Sequence, residues 1–206
     1  MSMKSELKRK ALHLTGLTVP IIYLLFGRTV TIRFVLFFFV LFLILEPFRI
    51  VEELRDKVKR RLHLYMNEEI VSHIEKEIDS LAREEEKKRI AAHIYFTAAA
   101  LIVLYFFPAE IAIGAITVAT LGDAMAAIIG KPFGKHRFKN GKSLEGSLAF
   151  FITALLILVP LIDLPHGIVG ALAGTLVEFH GLPPDDNFSN QLAIAIILYA
   201  FRIILP

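Results

Sequence analysis

The sequence predicts an all-α protein, a polytopic membrane helix bundle of about seven transmembrane helices with a cytosolic amphipathic helical hairpin. Three observations predict this class. The composition is 55% hydrophobic and the mean hydropathy is +0.61, both high for a soluble domain of this length. Apolar runs recur along almost the whole chain, and Lys and Arg cluster between alternate runs. The absence of Cys excludes disulfides and thiolate metal sites.

Seven apolar runs predict the transmembrane helices. The first run follows a short charged N-terminus and has no small-residue cleavage site, so we interpret it as a retained span rather than a signal peptide. Gly27 begins the first turn, Pro47 ends the second span and Pro108 precedes the fourth. Several runs are shorter than the roughly 20 residues of a full crossing, which local thinning of the bilayer accommodates. The predicted spans are residues 11–26, 30–45, 90–107, 111–129, 147–161, 167–182 and 191–205.

A polar segment at residues 49–89 separates the second and third spans. Its apolar residues fall three to four positions apart in two series, which predicts two amphipathic helices. Asn67 followed by two Glu residues predicts a helix N-cap. We interpret the segment as a cytosolic hairpin insertion, with self-association into a homodimer as its role, rather than as part of a reactive site. Residues 1–206 as a whole are expected to form one integral-membrane domain.

The distribution of Lys and Arg sets the predicted orientation. With the N-terminus in the cytosol, the segments 1–10, 46–89, 130–146 and 183–190 lie inside and carry nearly all of the basic residues. The net charge of +3 is explained by anionic lipid headgroups, so nucleic acid is not indicated as a partner. Scarce Asn and Gln with abundant Glu and Lys are typical of a thermophile. We therefore expect the cell membrane of a prokaryote, an archaeon in particular.

Two carboxylates lie inside predicted spans, toward their cytosolic ends. Asp123 is about two helical turns from the end of its span, roughly 9 Å deep, and Glu178 is about one turn deep. A carboxylate inside a membrane costs free energy and marks a functional site by default. A divalent cation between the two would relieve their repulsion. The alternative is that each acid pairs with a nearby Lys or Arg and only orients helices.

The loop at residues 130–146 joins the fourth and fifth spans and is rich in Gly and Lys. Its glycines permit close backbone approach, its basic residues supply charge, and Ser143 is placed to cap the next helix, whose N-terminus favours an anion. The GKS at 141–143 is not a P-loop, because His136 stands where Gly is needed and no strand precedes it. We interpret this segment as a cytosolic phosphate-binding loop. A basic anchor that contacts lipid phosphates is the alternative.

Four ordered segments resemble the CTP-dependent lipid kinases, which include dolichol kinases, phytol kinases and CTP-dependent diacylglycerol kinases. They are RKALHLTG at 9–16, GDAMAAIIGKPFG at 122–134, GKSLEGSLAF at 141–150 and GTLVEFHGLPPDDN at 174–187. The hairpin and the seventh span carry no such resemblance. The resemblance implies transfer of the γ-phosphoryl group of CTP to a lipid alcohol, giving a lipid phosphate and CDP, with Mg²⁺ or another divalent cation.

The matched segments also indicate site residues, which we expect to converge on one pocket. Asp123, Lys142 and Glu178 are the expected catalytic residues, with Asp123 acting as a metal ligand or as the base for the lipid hydroxyl. Arg9 and Lys10 serve equally well as topology anchors, and His13 faces either the pocket or the packed core. The expected nucleotide-binding residues are Arg9, Lys10, Gly130, Gly134, Lys135, Gly141, Lys142, Ser143 and Gly146. The expected metal ligands, which we do not rank, are Asp123, Glu145, Glu178, Asp185 and Asp186.

The acceptor that we expect is a polyprenol of the dolichol type. Phytol, geranylgeraniol and diacylglycerol are the open alternatives, since the sequence does not determine the length of a lipid groove. A cytidylyltransferase that forms a CDP-lipid is a rival, because it also needs CTP, a metal ion and a lipid. An ion-coupled transporter is disfavoured because both deep acids lie toward one face, and a non-catalytic scaffold built around residues 49–89 is the remaining rival.

Overall fold

The computed structural model describes residues 3–50, 57, 60, 61, 67, 69, 70, 72 and 90–205, with the backbone alone for residues 3–8 and 48–50. Every named element within these residues is a helix, which confirms the predicted all-α class. A short 3-10 turn, Thr15–Leu17, joins the first two helices. The helices are α1 (Met3–Leu14), α2 (Thr18–Ile50), α3 (Ala92–Phe106), α4 (Ala109–Phe133), α5 (Leu144–Leu161), α6 (Leu164–His180) and α7 (Asp186–Ile204).

The helices have the length and surface of an integral membrane protein. Four described segments are long and apolar enough to cross a bilayer: Arg9–Pro47, Ala109–Phe133, Leu144–Leu161 and Asp186–Ile204. The apolar helices α3 and α6 are shorter, with 15 and 17 residues, so the number of about seven crossings stays a prediction. Leu156 and Ile204 are 72% and 79% exposed, as expected of side chains that face lipid.

The predicted turn at Gly27 is confirmed. Gly27 interrupts α2 with φ +77° and ψ 176°, a conformation that favours glycine. Two contacts with α3 show that the chain reverses there. Just after the turn, Arg28 Nε donates to Leu104 O at the end of α3 (2.6 Å). Near the end of α2, Glu46 Oε1 accepts from Ala91 N at the start of α3 (2.8 Å). We call residues 3–26 the ascending segment and residues 28–50 the descending segment.

Close packing at glycines joins α4, α5 and α6. Phe150 of α5 is fully buried between Gly122 of α4 and Gly174 of α6; a Cβ added at either glycine would lie less than 3 Å from its ring. Helices can approach so closely only where a side chain is missing. Asp123 follows Gly122 directly and Glu178 lies one turn beyond Gly174, so this packing brings both carboxylates toward the same end of the bundle.

Two predicted boundaries were wrong. Pro47 does not end its helix, which runs to Ile50; proline keeps a helical φ and costs one backbone hydrogen bond, so the helix can continue. The fourth helix extends to Phe133 and the fifth begins at Leu144, so the loop between them covers residues 134–143 rather than 130–146. Gly130 stays helical and packs against Gly146: a Cβ added at Gly130 would lie 3.0 Å from the Gly146 Cα.

The predicted hairpin at residues 49–89 lies almost entirely outside the described residues. At its centre, the side chain of Asn67 accepts a hydrogen bond from Glu69 N at 3.1 Å, and Ile70 N bonds to Asn67 O at 3.0 Å. This is the geometry of a helix N-cap, which confirms the local prediction at Asn67.

Candidate functional site

Asp123 is held by two residues of the N-terminal helix. The Lys10 ammonium donates to Asp123 Oδ2, and the Lys10 side chain is only 6% exposed. His13 Nε2 lies 3.3 Å from the same oxygen, although the two groups are not aligned for a hydrogen bond. Lys10 and His13 are three positions apart on α1 and therefore share one helix face. The sequence analysis left the orientation of His13 open; the structure places it against Asp123.

Glu178 is held by a second lysine. Lys142 Nζ donates to Glu178 Oε1 and lies 3.5 Å from Asp186 Oδ2. Glu178 Oε2 accepts from Asn190 Nδ2 at 3.2 Å, and the Glu178 side chain is 5% exposed. Burial alone would lower the pKa of Lys142, but the Glu178 carboxylate, with Asp186 and Asp123, outweighs it and raises that pKa. Lys142 is therefore a fixed cation at neutral pH.

The loop that carries Lys142 is tied to the C-terminal end of α6. Asn140 Nδ2 donates to Phe179 O at 2.6 Å, and Asn140 Oδ1 accepts from Lys142 N at 3.1 Å. The ring of Phe138 packs edge-on against that of Phe179, with centroids 4.8 Å apart. Gly141 has φ +82° and open space where a side chain would be. These contacts direct Lys142 toward Glu178.

Ser143 caps α5, as predicted. Its Oγ accepts from Gly146 N at 3.1 Å and donates to Gly130 O at 3.3 Å, and the residue is 4% exposed. A Cβ at Gly146 would lie 2.9 Å from Ala126 O, and one at Gly134 would lie 2.6 Å from Ser143 Oγ. Close packing between α4 and α5 thus accounts for these glycines without a ligand, and their predicted contact with nucleotide stays a prediction.

Glu145 has a structural partner of its own. Its carboxylate accepts from the backbone N of His136 at 3.2 Å and contacts His136 Nδ1 at 2.8 Å. Glu145, Gly134 and Lys135 do not line the cavity described next, whereas the other predicted site residues do. The carboxylate of Glu145 therefore orders the loop in this structure, and its predicted role as a metal ligand is untested.

One cavity of about 1640 Å³ collects the remaining predicted residues. Asp123 and Lys142 both line it, although they come from a transmembrane helix and a loop. The polar part of its lining includes Arg9, Lys10, Asp123, Gly130, Gly141, Lys142, Ser143, Gly146, Glu178, Asp185 and Asp186. The cavity continues into an apolar part lined by Leu12, Val19, Phe34, Val35, Phe38, Phe42 and Phe96. The cavity is therefore amphipathic.

Metal binding would draw on the acids of this polar part. Among the described residues, no group of three or more His, Asp or Glu side chains is close enough to form a preassembled cation site. Mg²⁺ that enters with a nucleotide needs fewer protein ligands, because it is commonly bound by one or two carboxylates plus phosphate oxygens. Asp185 caps α7, accepting from Asn187 N at 2.9 Å, and burial raises its pKa. This donor set fits a cation that arrives with its phosphates.

Comparison with known proteins identifies the relatives. The chain is 38% identical over 119 residues to an uncharacterized protein of Methanocaldococcus jannaschii, covering 56% of this chain and 61% of that protein. It is 38% identical over 85 residues to the dolichol kinase of Schizosaccharomyces pombe (37% of this chain, 17% of the kinase). It is 29% identical over 145 residues to CTP-dependent diacylglycerol kinase 1 of the same organism (59% and 65%).

The chain is related to the CTP-dependent lipid kinases. It spans less than two thirds of the length of each of these three relatives. No family model matches it, and no solved structure matches it. The partial matches to a dolichol kinase and to a CTP-dependent diacylglycerol kinase confirm the resemblance to this family.

All four of those segments meet at the cavity of this lipid-kinase relative. The segment at 9–16 contributes Lys10, the segment at 122–134 contributes Asp123, the segment at 141–150 contributes Lys142, and the segment at 174–187 contributes Glu178. They are far apart along the chain, and only the packing of α1, α4 and α6 with the loop brings them together.

Sequence reasoning missed the structural role of two residues that support this site. Asn190 is 1% exposed and hydrogen-bonds Glu178 from the second turn of α7, but the sequence analysis placed it in a loop. A polar residue next to an apolar run was the available signal. Arg137 donates to Gly130 O (3.2 Å) and Lys131 O (2.7 Å) at the end of α4, and a basic residue just beyond a helix C-terminus was its signal.

Proposed function

We propose that this protein transfers the γ-phosphoryl group of CTP to a membrane lipid alcohol, giving a lipid phosphate and CDP at the cytosolic face. One observation carries the proposal: a single cavity has two lysine–carboxylate pairs in its polar part and an aromatic, apolar lining in its other part. A water-soluble anion and a lipid can meet only in a site with both kinds of surface. The names of two relatives, a dolichol kinase and a CTP-dependent diacylglycerol kinase, supply the donor and the lipid class.

The acceptor in this proposal is a polyprenol, which would yield a dolichol-type phosphate. The similarity to dolichol kinase supports it over 85 residues. Diacylglycerol is the first alternative because another relative carries that name, and phytol or geranylgeraniol are the others. The archaeal relative supports a place in the cell membrane of a prokaryote. A homodimer formed through residues 49–89 stays a prediction.

The basic and acidic residues of the cavity have different roles in this proposal. Phosphoryl transfer depends mainly on positioning and on neutralising the phosphate charge. Lys10 and Lys142 are the cations that would contact the triphosphate, and Asp123, beside the apolar part, would receive the hydroxyl proton of the acceptor. Each lysine contacts a carboxylate in this structure, so the phosphates of the nucleotide would compete with that carboxylate for the lysine. Glu178 would then be released toward the polar part of the cavity.

A divalent cation completes the proposal. When bound, it supplies positive charge to the phosphates of the donor. Glu178, Asp185 and Asp186 are the carboxylates of the cavity that would hold it, and Asp123 would hold it only in place of acting as the base. The protein itself orients these acids, through Lys10 at Asp123, Lys142 and Asn190 at Glu178, and Asn187 at Asp185.

The test is product analysis with two labels. Purified protein in nanodiscs receives Mg²⁺, CTP labelled at either the γ-phosphate or the cytidine, and either a polyprenol or a lipid phosphate. We expect γ-label alone in the lipid product. With the lipid phosphate, cytidine label in the lipid and release of pyrophosphate would instead establish a CDP-lipid-forming cytidylyltransferase, the second candidate, and no label in any lipid would refute both.

A matched pair of Asp variants controls for folding. Asp123→Asn should abolish transfer, whereas Asp163→Asn should retain it. Asp163 caps α6 at the other end of the bundle, with Oδ1 accepting from His166 N at 2.8 Å, and Asn caps helices nearly as well as Asp. Equal activity of the two variants would exclude Asp123 from the reaction.

A further inference from the structure

We propose that the apolar part of the cavity binds the hydrocarbon chain of the acceptor and accepts a plain prenyl or alkyl chain in preference to an ester-linked lipid. We call this part the apolar arm. The inference rests on the proposed function, because it concerns the acceptor of the same reaction. Three parts of the chain form its walls: Leu12, Gly16 and Val19 of the ascending segment, Phe34, Val35, Phe38 and Phe42 of the descending segment, and Phe96 of α3.

The apolar arm begins beside Asp123. His13 contacts the Asp123 carboxylate on one side and the ring of Phe96 on the other, with ring centroids 6.3 Å apart. One turn further, the Gly16 backbone packs directly against Phe96, where an added Cβ would lie 2.7 Å from Phe96 Cζ, so His13, Gly16 and Phe96 form one continuous wall. An alcohol whose hydroxyl lies at Asp123 would therefore place its chain directly in the arm.

Aromatic rings line the descending wall at helical spacing. Phe34, Phe38 and Phe42 lie four positions apart and form a stripe roughly 12 Å long. Their rings contact one another, with centroids 4.8 Å apart for Phe34 and Phe38 and 5.8 Å for Phe38 and Phe42. All three side chains are half-buried, so the stripe offers apolar surface that a chain can cover. Burial of that surface favours a hydrocarbon.

The threonine hydroxyls of the arm are already hydrogen-bonded. The hydroxyls of Thr15, Thr18 and Thr97, which line the cavity there, donate to backbone carbonyls at 2.6, 2.8 and 2.8 Å. The helical backbone N–H groups are bonded within their own helices. Two further donors line the cavity, and both rings are packed: His93 against Phe42, with centroids 4.3 Å apart, and Tyr95 against Phe188 of α7. Ester carbonyls placed among these groups would lose their hydrogen bonds to water and gain none from the threonine hydroxyls, which costs free energy.

Photo-crosslinking tests this assignment directly. The probe is geranylgeraniol with a diazirine in its chain, added to the full-length protein in nanodiscs, with the labelled peptides mapped by mass spectrometry. We expect label at residues 12–19 and 34–42. Excess geranylgeraniol should remove the label, whereas the same amount of dioleoylglycerol should leave most of it. This mapping uses the unchanged chain and does not depend on the folding of any variant.

A pair of neighbouring phenylalanines provides the matched control. Phe38→Ala should lower labelling of the arm and raise KM for geranylgeraniol about tenfold, with kcat nearly unchanged, because it removes apolar contact made before and during the reaction. Phe37 is 64% exposed on the outside of the same helix and does not line the cavity. Its ring contacts Phe38 from outside, with centroids 5.3 Å apart, so Phe37→Ala should change both quantities much less than Phe38→Ala does.

The outcomes separate this inference from the proposed function. Label spread over outward-facing residues such as Leu24 and Leu156, or equal competition by dioleoylglycerol, would overturn the inference even if CTP phosphorylates the prenol. Specific label in the arm without any CTP-dependent phosphorylation would support the binding site and refute the kinase reaction alone.

Discussion

The Lys10 ammonium of α1 contacts the Asp123 carboxylate of α4 across 113 positions of the chain. The contact is almost dry, because the side chains of Lys10 and Asp123 are 6% and 19% exposed. It joins the N-terminal helix to the centre of the bundle and leaves Asp123 facing the cavity. Removing the lysine would leave the largely buried Asp123 carboxylate without the cation that it contacts directly.

Lys10→Met should therefore be costly for both folding and activity. Removing one partner of a buried ion pair typically destabilises a protein by about 3 kcal/mol or more, and kcat/KM should fall at least about a hundredfold. Detergent-based thermal unfolding and the CTP-dependent assay measure the two effects. Lys139→Met is the control, because Lys139 is exposed on the loop. Similar losses in both variants would show that the contact with Asp123 is unimportant.

Lys142 and Lys135 share one loop but differ in position, and this difference predicts different kinetics. Only Lys142 lines the cavity and contacts Glu178. Lys142→Ala should raise KM for CTP about tenfold or more, the value of one charge-assisted hydrogen bond. Lys135→Ala should change KM for CTP less than about twofold. The reverse ranking in CTP titrations would favour the sequence-based assignment of Lys135 over the geometry.

Asn190 should act as a positioning residue for Glu178. Its amide donates to Glu178 Oε2 at 3.2 Å, so Asn190→Ala frees the carboxylate to reorient. We expect kcat to fall about tenfold and the Mg²⁺ concentration for half-maximal rate to rise. Gln191→Leu is the control, since Gln191 is equally buried but donates to the backbone carbonyls of Phe96 and Asn187. Gln191→Leu should lower stability without changing the Mg²⁺ concentration for half-maximal rate. A change of that concentration in both variants would assign a merely structural role to Asn190.

The cap of α6 predicts a pH-dependent contribution to stability. Hydrogen bonds from the His166 backbone and ring lower the pKa of Asp163 below its ordinary 3.8. A depressed carboxyl pKa stabilises the fold above the unfolded pKa, and this stabilisation is lost as pH falls through the folded pKa. Asp163→Ala should lower Tm by about 3 °C at pH 7. The difference from the unchanged chain should shrink at pH values below 3.8, and a constant difference across that range would contradict the linkage.

Local features were predictable from the sequence because they depend on a few neighbouring residues. Gly27 turns the chain where a positive φ is needed, Ser143 accepts the hydrogen bond of the next helical turn, and Asn67 does the same. The cost of placing Asp123 and Glu178 in apolar runs marked them as site residues before any geometry was known. The apolar composition and the spacing of the runs determined the membrane bundle.

Only the tertiary structure decided which residues meet. The lysine partner of each deep acid, the hydrogen bond from Asn190 and the loop contact of Glu145 follow from how helices cross, and those crossings depend on side-chain volumes at Gly122, Gly146 and Gly174. Such contacts join residues far apart in the chain, so no periodicity or cap reveals them. The sequence alone thus determined a membrane helix bundle with acids inside it, whereas packing decided that these acids share one cavity with an apolar arm.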